Sequence, residues 1–269
     1  MDVRSIASEL AEEHDALDAV VAGLGDDEWR VATPSPRWRV ADQIAHLAYF
    51  DRAAVVAITE PEAFHSMVEE ILEAAAGGDE GVDELTLGWA RDLTPAELLA
   101  EWRARRRQLL EAAESLPDDA RIDWYGPSMG AKSFLTARLM ETWAHGQDVV
   151  DAVGAQRPPT DRLRHIARLG VVTRGWTYAN RGEEPPAASV RVELRAPSGE
   201  VHSWGPEDAE ETVTGSMEDF CLVVTQRRHL DDTDLVVEGE GARDWLLKAQ
   251  AFAGPPTEGP AGRERGRDG

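Results

Sequence analysis

Three residues of this chain have the types and the spacing of a metal-ligand set. Glu141 and His145 are four positions apart, so a helix places both side chains on one face, one turn from each other. His46 lies far earlier in the chain and can supply a third ligand from another helix. Two imidazoles and one carboxylate leave open positions on a divalent ion, which suits catalysis better than structural support. Zinc is the expected ion, and iron(II) oxygenases use the same ligand set.

An ordinary amphipathic helix explains part of the same pattern. Leu139 and other apolar residues form one broad arc of the helix, and Glu141 and His145 lie on the opposite arc. Alanines and a phenylalanine share that opposite arc and no lysine does, so the arc is less polar than a solvated face usually is. His46 shares a helix face with Phe50 and alanines, which indicates an interior position. A buried histidine is more often a core residue than a ligand, so spacing alone leaves both interpretations open.

A second motif suggests a serine nucleophile. Residues 126–130 read Gly-Pro-Ser-Met-Gly, which matches the Gly-x-Ser-x-Gly elbow with Ser128 at its centre. An elbow belongs to an α/β sheet with several earlier strands, but the preceding sequence predicts helices. We therefore interpret the segment as a turn. The one cysteine, Cys221, lies in an apolar run without a neighbouring base and is predicted to be a core residue.

A basic run interrupts an otherwise acidic chain. Residues 102–108 read Trp-Arg-Ala-Arg-Arg-Arg-Gln. Helical spacing favours a solvated face on which these arginines pair with Glu101 and Glu111. The alternative is that one of the arginines anchors a carboxylate ligand.

Composition narrows the classes of partner. The chain has 28 Lys plus Arg against 51 Asp plus Glu, a net charge of -23, which disfavours nucleic acid and anionic membrane surfaces. A single cysteine allows no internal disulfide and fits a reducing compartment. The N-terminal residues are acidic and lack the apolar segment of a signal peptide, and no apolar stretch is long enough to span a bilayer. We expect a cytoplasmic protein.

The pattern of apolar residues predicts an α+β protein in two domains. Domain 1–182 is predicted to be an antiparallel helical bundle, domain 187–253 a small α+β domain, and residues 254–269 a disordered tail. Residues 77–81, rich in glycine and acid, are predicted to be a loop. The predicted helices of the first domain cover residues 6–24, 40–59, 61–76, 94–115, 131–153 and 160–179. The predicted strands of the second domain cover residues 190–194, 201–204, 211–214 and 235–238, with helices over 220–228 and 242–252.

Two segments resemble a known family. Residues 38–47, Trp-Arg-Val-Ala-Asp-Gln-Ile-Ala-His-Leu, and 140–148, Met-Glu-Thr-Trp-Ala-His-Gly-Gln-Asp, resemble the metal-binding domain of mycothiol-dependent maleylpyruvate isomerases. That domain belongs to the DinB-like up-and-down four-helix bundles. Residues 213–219 and 234–239 are similar to the sterol-carrier-like domain that follows the bundle in those isomerases. The resemblance implies that His46, Glu141 and His145 are the three metal ligands. One departure is Arg39, which stands where relatives commonly carry a Thr or Ser that caps the helix.

The resemblance implies a metal-dependent enzyme of thiol chemistry. A low-molecular-weight thiol such as mycothiol would be activated for isomerisation of, or transfer to, a small electrophile. Asp42 and Asp148 lie near one helical turn from the two histidines and are predicted to orient the imidazoles. Arg227 and Arg228 are predicted to anchor an anionic part of the cofactor or substrate.

Three alternatives remain at this level. The first is a metal- or ligand-binding module without catalysis, and the second is a non-haem iron oxygenase, which requires a redox metal. The third is a role in tRNA wyosine formation, because C-terminal segments of this kind sometimes attract that label. The charge of -23 argues against a tRNA partner.

Overall fold

The computed structural model describes residues 2–262. The chain forms two compact units, Met1–Arg157 and Pro158–Gly269. Within residues 2–262, no helix is both long and apolar enough to cross a membrane.

The first unit is built from helices. Their bounds are α1 Val3–Val21, α2 Val40–Thr59, α3 Pro61–Ala75, α4 Gly78–Leu87, α5 Pro95–Glu114 and α6 Ala131–Val153. Helices α1 and α2 each pack against both α5 and α6, so these four long helices form a closed ring around a common core. The predicted four-helix bundle is confirmed. A short antiparallel hairpin, β1 (Arg121–Ile122) and β2 (Met129–Gly130), precedes α6.

Local signals set the helix ends. The Thr94 hydroxyl accepts the Glu97 N–H at 3.3 Å, and the Glu97 carboxylate accepts the Thr94 N–H at 2.8 Å, so the two residues form a capping box at the start of α5. At the start of α2 the Asp42 carboxylate accepts the Arg39 N–H at 2.8 Å. The Asp42 N–H, to which a Thr or Ser cap would bond, donates instead to the Arg39 carbonyl at 3.0 Å, so α2 begins after Arg39 without such a cap. Gly154 ends α6 in the left-handed region at φ 64°.

The predicted loop at residues 77–81 is wrong. Helix α4 begins at Gly78 and continues to Leu87. Asp79 and Glu80 occupy its first turn, where carboxylates are stabilised by the helix dipole, and Leu87 is buried against the bundle. The glycines and acidic residues that suggest a loop therefore form the start of a helix. Burial of Leu87, at the other end of α4, fixes the helix against the bundle.

The second unit combines a four-stranded sheet with short helices. The strands β3 Val190–Arg195, β4 Val201–Trp204, β5 Glu211–Ser216 and β6 Val236–Glu238 lie in the order β4-β3-β5-β6. Strands β3 and β5 are parallel, and the other neighbours are antiparallel. The helices are α7 Leu163–Val172, α8 Arg174–Ala179, α9 Met217–Val224 and α10 Glu240–Lys248. The α+β class is confirmed, and the predicted 160–179 helix is divided at Thr173.

The division between the units falls before α7, whereas the sequence pattern placed a domain boundary near residue 182. Helix α7 packs against α9, and the Cys221 Sγ lies 3.4 Å from the Leu163 carbonyl oxygen. Gly170 permits this close approach, because a Cβ there would lie 2.8 Å from a Val224 methyl. Contacts with residues far away in the sequence thus place α7 in the second unit. Helical periodicity gives no information about such contacts.

Part of the predicted disordered tail is described by the structure. Residues 254–262 form no helix or strand, yet Asn180 Nδ2 donates to the Gly254 carbonyl at 3.0 Å and Gln250 Nε2 to the Pro255 carbonyl at 3.1 Å. Residues 263–269 of the predicted tail lie outside the described residues.

The capping box of α5 gives a stability prediction. We expect Thr94→Ala to lower the free energy of unfolding by about 1 kcal/mol, because the Glu97 N–H loses its acceptor. Urea unfolding followed by circular dichroism measures the change. The control Thr94→Ser keeps the hydroxyl and is expected to lose much less; equal losses for both variants would contradict the capping role.

Candidate metal centre

Helices α2 and α6 bring the three predicted ligands together. His46 lies on α2, Glu141 and His145 lie on α6, and the two helices pack against each other. One ligand atom of each residue lies within 4.8 Å of the other two. The Glu141 Oε2 is 3.1 Å from His145 Nε2 and 4.0 Å from His46 Nε2. The carboxylate therefore lies within reach of both imidazoles.

Two of these separations are close to those around a tetrahedral ion. Ligands at about 2.0–2.1 Å from zinc lie roughly 3.4 Å from each other when the geometry is tetrahedral. The two distances from Glu141, 3.1 and 4.0 Å, lie on either side of that value. The His46, His145 and Glu141 side chains are 17%, 11% and 23% exposed, so the site is shielded but open to a small ligand.

Gln43 fixes the protonation pattern of His145. The Gln43 Nε2 donates to Thr33 Oγ1 at 2.8 Å, and the Thr33 hydroxyl donates to the Trp38 carbonyl at 3.0 Å. These two hydrogen bonds turn the Gln43 Oε1 toward His145 Nδ1, 2.6 Å away. Because an amide oxygen can only accept, His145 Nδ1 must donate the hydrogen bond. In a neutral imidazole, Nε2 then presents a lone pair to the Glu141 carboxylate. Two electron-rich atoms at 3.1 Å require a cation, either a proton or a metal ion, between them.

Glu141 is negatively charged at neutral pH. Burial alone raises the pKa of its carboxyl group, but the close contact with His145 and the neighbouring Arg138 and His46 lower the pKa to about 2. The centre therefore offers an anionic oxygen together with two imidazole nitrogens.

Aromatic rings restrict the two histidines. The Trp38 ring centroid lies 4.9 Å from that of His46 and 5.8 Å from that of His145. Phe50 packs against the other side of His46, at 4.6 Å. These contacts limit ring rotation and keep the ligand atoms facing each other.

Gly146 allows α6 to approach its surroundings directly beside His145. A Cβ at this position would lie 2.5 Å from Arg157 Nη1 and 3.3 Å from a Leu17 methyl. The Arg157 guanidinium donates to the Trp143 carbonyl at 2.8 Å and lies 3.3 Å from the Glu13 carboxylate. Because Gly146 has no side chain, the Arg157 guanidinium can lie directly against α6 beside His145.

The structure assigns other contacts to the two aspartates predicted to orient the histidines. Asp42 bonds to the Arg39 N–H and caps α2. The Asp148 carboxylate accepts the Ser35 hydroxyl at 3.1 Å and lies 3.9 Å from His145 Nδ1, too far for a direct hydrogen bond. Gln43, which the sequence reasoning missed, contacts His145 instead. The signal in the sequence is a glutamine among apolar residues, one turn before His46 on α2. The structure shows that this glutamine is fully buried.

Arg227 and Arg228 lie in the second unit, just after α9. The Arg227 Nη1 donates to the Thr225 carbonyl at 2.6 Å, and the Arg228 Nη1 donates to the Arg227 carbonyl at 2.7 Å. Both side chains are half-buried. Their assignment as anchors of an anionic ligand stays a prediction.

The nucleophile candidates have structural explanations. Ser128 lies next to the hairpin strand β2, where its hydroxyl accepts from Arg121 at 2.9 Å, which fits the turn interpretation. Burial raises the pKa of the Cys221 thiol, so a thiolate is disfavoured there.

The basic run pairs with acids of the same unit. Arg103 and Arg106 both bond to Asp18 on α1, and Arg105 bonds to Glu101 at 2.8 Å. The expected pairing with Glu101 is confirmed. The run joins α5 to α1, so these three arginines have structural partners.

Comparison with known proteins identifies the family. The sequence model of the mycothiol maleylpyruvate isomerase N-terminal domain matches residues 10–150, slightly more than half of the chain. The chain belongs to this family. Two uncharacterized proteins of Mycobacterium tuberculosis, from two strains, are each 49% identical over 259 residues, which cover 96% of this chain and 99% of theirs.

Solved structures share the fold of this family member. Two crystal structures of mycothiol-dependent maleylpyruvate isomerase, one of them a histidine-to-alanine mutant, match with a TM-score of 0.58 at 16% identity. The match covers 90% of this chain and 96% of those chains. A second family model, wyosine base formation, matches residues 186–238, which hold strands β3 to β6 and helix α9.

Three buried polar side chains lie close together in the bundle. Arg138 and Asp51 form a salt bridge at 2.8 Å, and His14 lies 3.8 Å from Asp51. All three side chains are at most 3% exposed. Burial lowers the pKa of His14 to about 4; Asp51 opposes this shift, and the charges of Arg106 and Arg138 reinforce it.

The lowered pKa of His14 predicts a pH-dependent stability. Between about pH 4 and 6.5 the unfolded chain binds a proton at His14 that the folded protein does not, so stability falls as the pH falls through this range. We expect His14→Gln to remove up to about 3 kcal/mol of this dependence. Urea unfolding of both proteins at several pH values measures it. Parallel stability curves for the two proteins would refute the prediction.

Proposed function

We propose that His46, Glu141 and His145 bind a divalent ion, with zinc the expected ion, and that the protein uses it to activate a low-molecular-weight thiol. The observation that carries the proposal is the position of the His145 ring: its Nδ1 lies 2.6 Å from the Gln43 amide oxygen, and its Nε2 faces the Glu141 carboxylate 3.1 Å away. A metal ion satisfies both atoms and His46 at the same time. Membership of the mycothiol maleylpyruvate isomerase family supports mycothiol as the thiol.

The reaction follows from this donor set. When bound, a divalent ion with open positions stabilises a thiolate and so lowers the pKa of the thiol. The thiol can then ionise at neutral pH. Glu141 and the two histidines would hold the ion, and the rings of Trp38 and Phe50 pack against His46 and limit its rotation. The chain's one cysteine is buried, so the nucleophilic sulfur comes from the cofactor.

The substrate class is a small electrophile with a conjugated double bond. Sulfur adds to one carbon of that bond, and its π electrons move to the conjugated carbonyl group. After rotation about the resulting single bond, the electrons return and expel the thiolate, so cis–trans isomerisation consumes no cofactor. Addition followed by protonation of the neighbouring carbon gives S-transfer instead. We place the activity in the cytoplasm, where thiols are kept reduced.

The decisive experiment combines metal content with thiol ionisation. We expect purified protein to hold about one zinc per chain by elemental analysis, and His145→Ala to lose most of it, because one of three ligands is gone. Metal-loaded protein should lower the apparent pKa of added mycothiol, followed by thiolate absorbance in the ultraviolet, and His145→Ala should not. Bound iron in place of zinc would favour oxygenase chemistry, and metal without a thiol shift would leave a binding module. Unchanged metal content in His145→Ala would refute the metal centre.

Gln43 provides a separate test of the centre. We expect Gln43→Leu to weaken zinc affinity by about 10- to 100-fold, because His145 loses the acceptor that fixes its tautomer. Competition with a chromophoric chelator measures the affinity. The matched control is Asp148→Asn, which changes the other polar residue near His145 Nδ1 and is expected to retain zinc within a few-fold. A larger loss in the control than in Gln43→Leu would assign the orienting role to Asp148.

A further inference from the structure

Several polar atoms in the core of the bundle have no hydrogen-bond partner among the residues that the structure describes. They are both ring nitrogens of His14, Asp51 Oδ2, Trp102 Nε1, Arg106 Nη1 and Arg138 Nε. The residues come from all four helices of the ring, α1, α2, α5 and α6. Buried polar groups in folded proteins are nearly always bonded to protein or to ordered water, so these atoms point to a small ligand inside the bundle.

His14 and Asp51 face each other across the ring. Helices α1 and α2 each pack against α5 and α6, so the line from His14 to Asp51 spans the bundle between opposite helices. The His14 Nε2 lies 3.8 Å from Asp51 Oδ2, which is too long for a direct hydrogen bond. A water that bonds to two atoms at about 2.8 Å each holds them roughly 4–4.5 Å apart, so the gap is close to the width of one bridging water.

Neighbouring contacts keep the two side chains from closing this gap. The other oxygen of Asp51 accepts the Arg138 Nη2–H at 2.8 Å. The His14 ring meets the Trp102 ring edge to face, with the centroids 6.1 Å apart. Burial lowers the pKa of His14 to about 4, so its ring is neutral at neutral pH and is not drawn to Asp51 as an ion. A direct contact would therefore disturb the bond of Asp51 to Arg138 or the packing of His14 on Trp102.

The charges around the gap favour a neutral ligand. The Arg138 guanidinium and the Asp51 carboxylate balance each other, and Arg106 is paired with Asp18 at 2.7 Å. An anion would be repelled by Asp51 and a cation by Arg138. The side chains of His14, Asp51 and Arg138 are at most 3% exposed, so the ligand must fit between packed helices. Water meets these conditions because it is small, neutral and able to donate and accept.

We propose that the bundle core binds an ordered water between His14 Nε2 and Asp51 Oδ2. The water donates one hydrogen to the carboxylate, which can only accept, and makes its second bond to the His14 ring nitrogen. It thereby links α1, which supplies none of the proposed metal ligands, to α2, and through the Asp51–Arg138 pair to α6. The site depends on the bundle alone, whether or not a metal ion binds at Glu141 and the two histidines.

A high-resolution crystal structure of the full-length protein at neutral pH tests the proposal directly. We expect one ordered water within about 3.2 Å of both His14 Nε2 and Asp51 Oδ2. A direct hydrogen bond between the two side chains, or a gap between them without electron density, would overturn the inference.

Solvent relaxation provides a second test in solution. His14→Leu removes both ring nitrogens, and we expect magnetic relaxation dispersion to report about one long-lived water fewer per molecule. His14→Gln keeps a donor and an acceptor and is expected to retain this water. The matched control is His65→Leu, which changes an exposed histidine of α3 paired with Asp123 and is expected to leave the number unchanged.

The two measurements decide the question together. The same number of long-lived waters in His14→Leu as in the unchanged protein would contradict the proposed site. Circular dichroism checks that His14→Leu folds. If that variant does not fold, the crystal structure of the unchanged protein decides alone, because it requires no substitution.

Discussion

The contact between Gln43 and His145 determines what the centre can hold. The buried Gln43 amide oxygen accepts a hydrogen bond from His145 Nδ1–H at 2.6 Å, so in the neutral ring the other nitrogen faces Glu141 with its lone pair. Without a cation that arrangement is repulsive; with one it becomes a ligand set. The orientation of Gln43 depends in turn on Thr33 and the Trp38 carbonyl, which lie in the loop before α2. The loop therefore contributes to the centre although it supplies no ligand.

The bundle makes this arrangement rigid. Helix α2 carries both Gln43 and His46, one turn apart, and packs against α6, which carries the remaining ligands. Below the ligands, the Arg138–Asp51 pair joins the same two helices in the interior at 2.8 Å. A buried ion pair contributes little net stability, but breaking it leaves an unpaired charge in the interior. Any other register of α2 against α6 would break the Arg138–Asp51 pair and is therefore disfavoured. Packing and polar contacts thus select one alignment of the two helices.

The family match and the candidate metal centre lie in the same part of the chain. The family model covers the four-helix bundle, and the centre lies within that bundle. The second unit has a fold shared with the solved isomerases but carries a short match to a different family. Family membership therefore bears most directly on the centre in the bundle.

Sequence alone determined the features that depend on near neighbours. The spacing of Glu141 and His145, the ends of α2 and α6 and the capping box at Thr94 follow from helical geometry within a few residues. The resemblance of two short segments then related His46 to that pair. Tertiary structure alone decided the contacts between distant parts: Gln43 with His145, Arg138 with Asp51, and α7 with α9. The physical reason is that periodicity tells which face of a helix is buried, but only packing sets the partner and the register that the face meets.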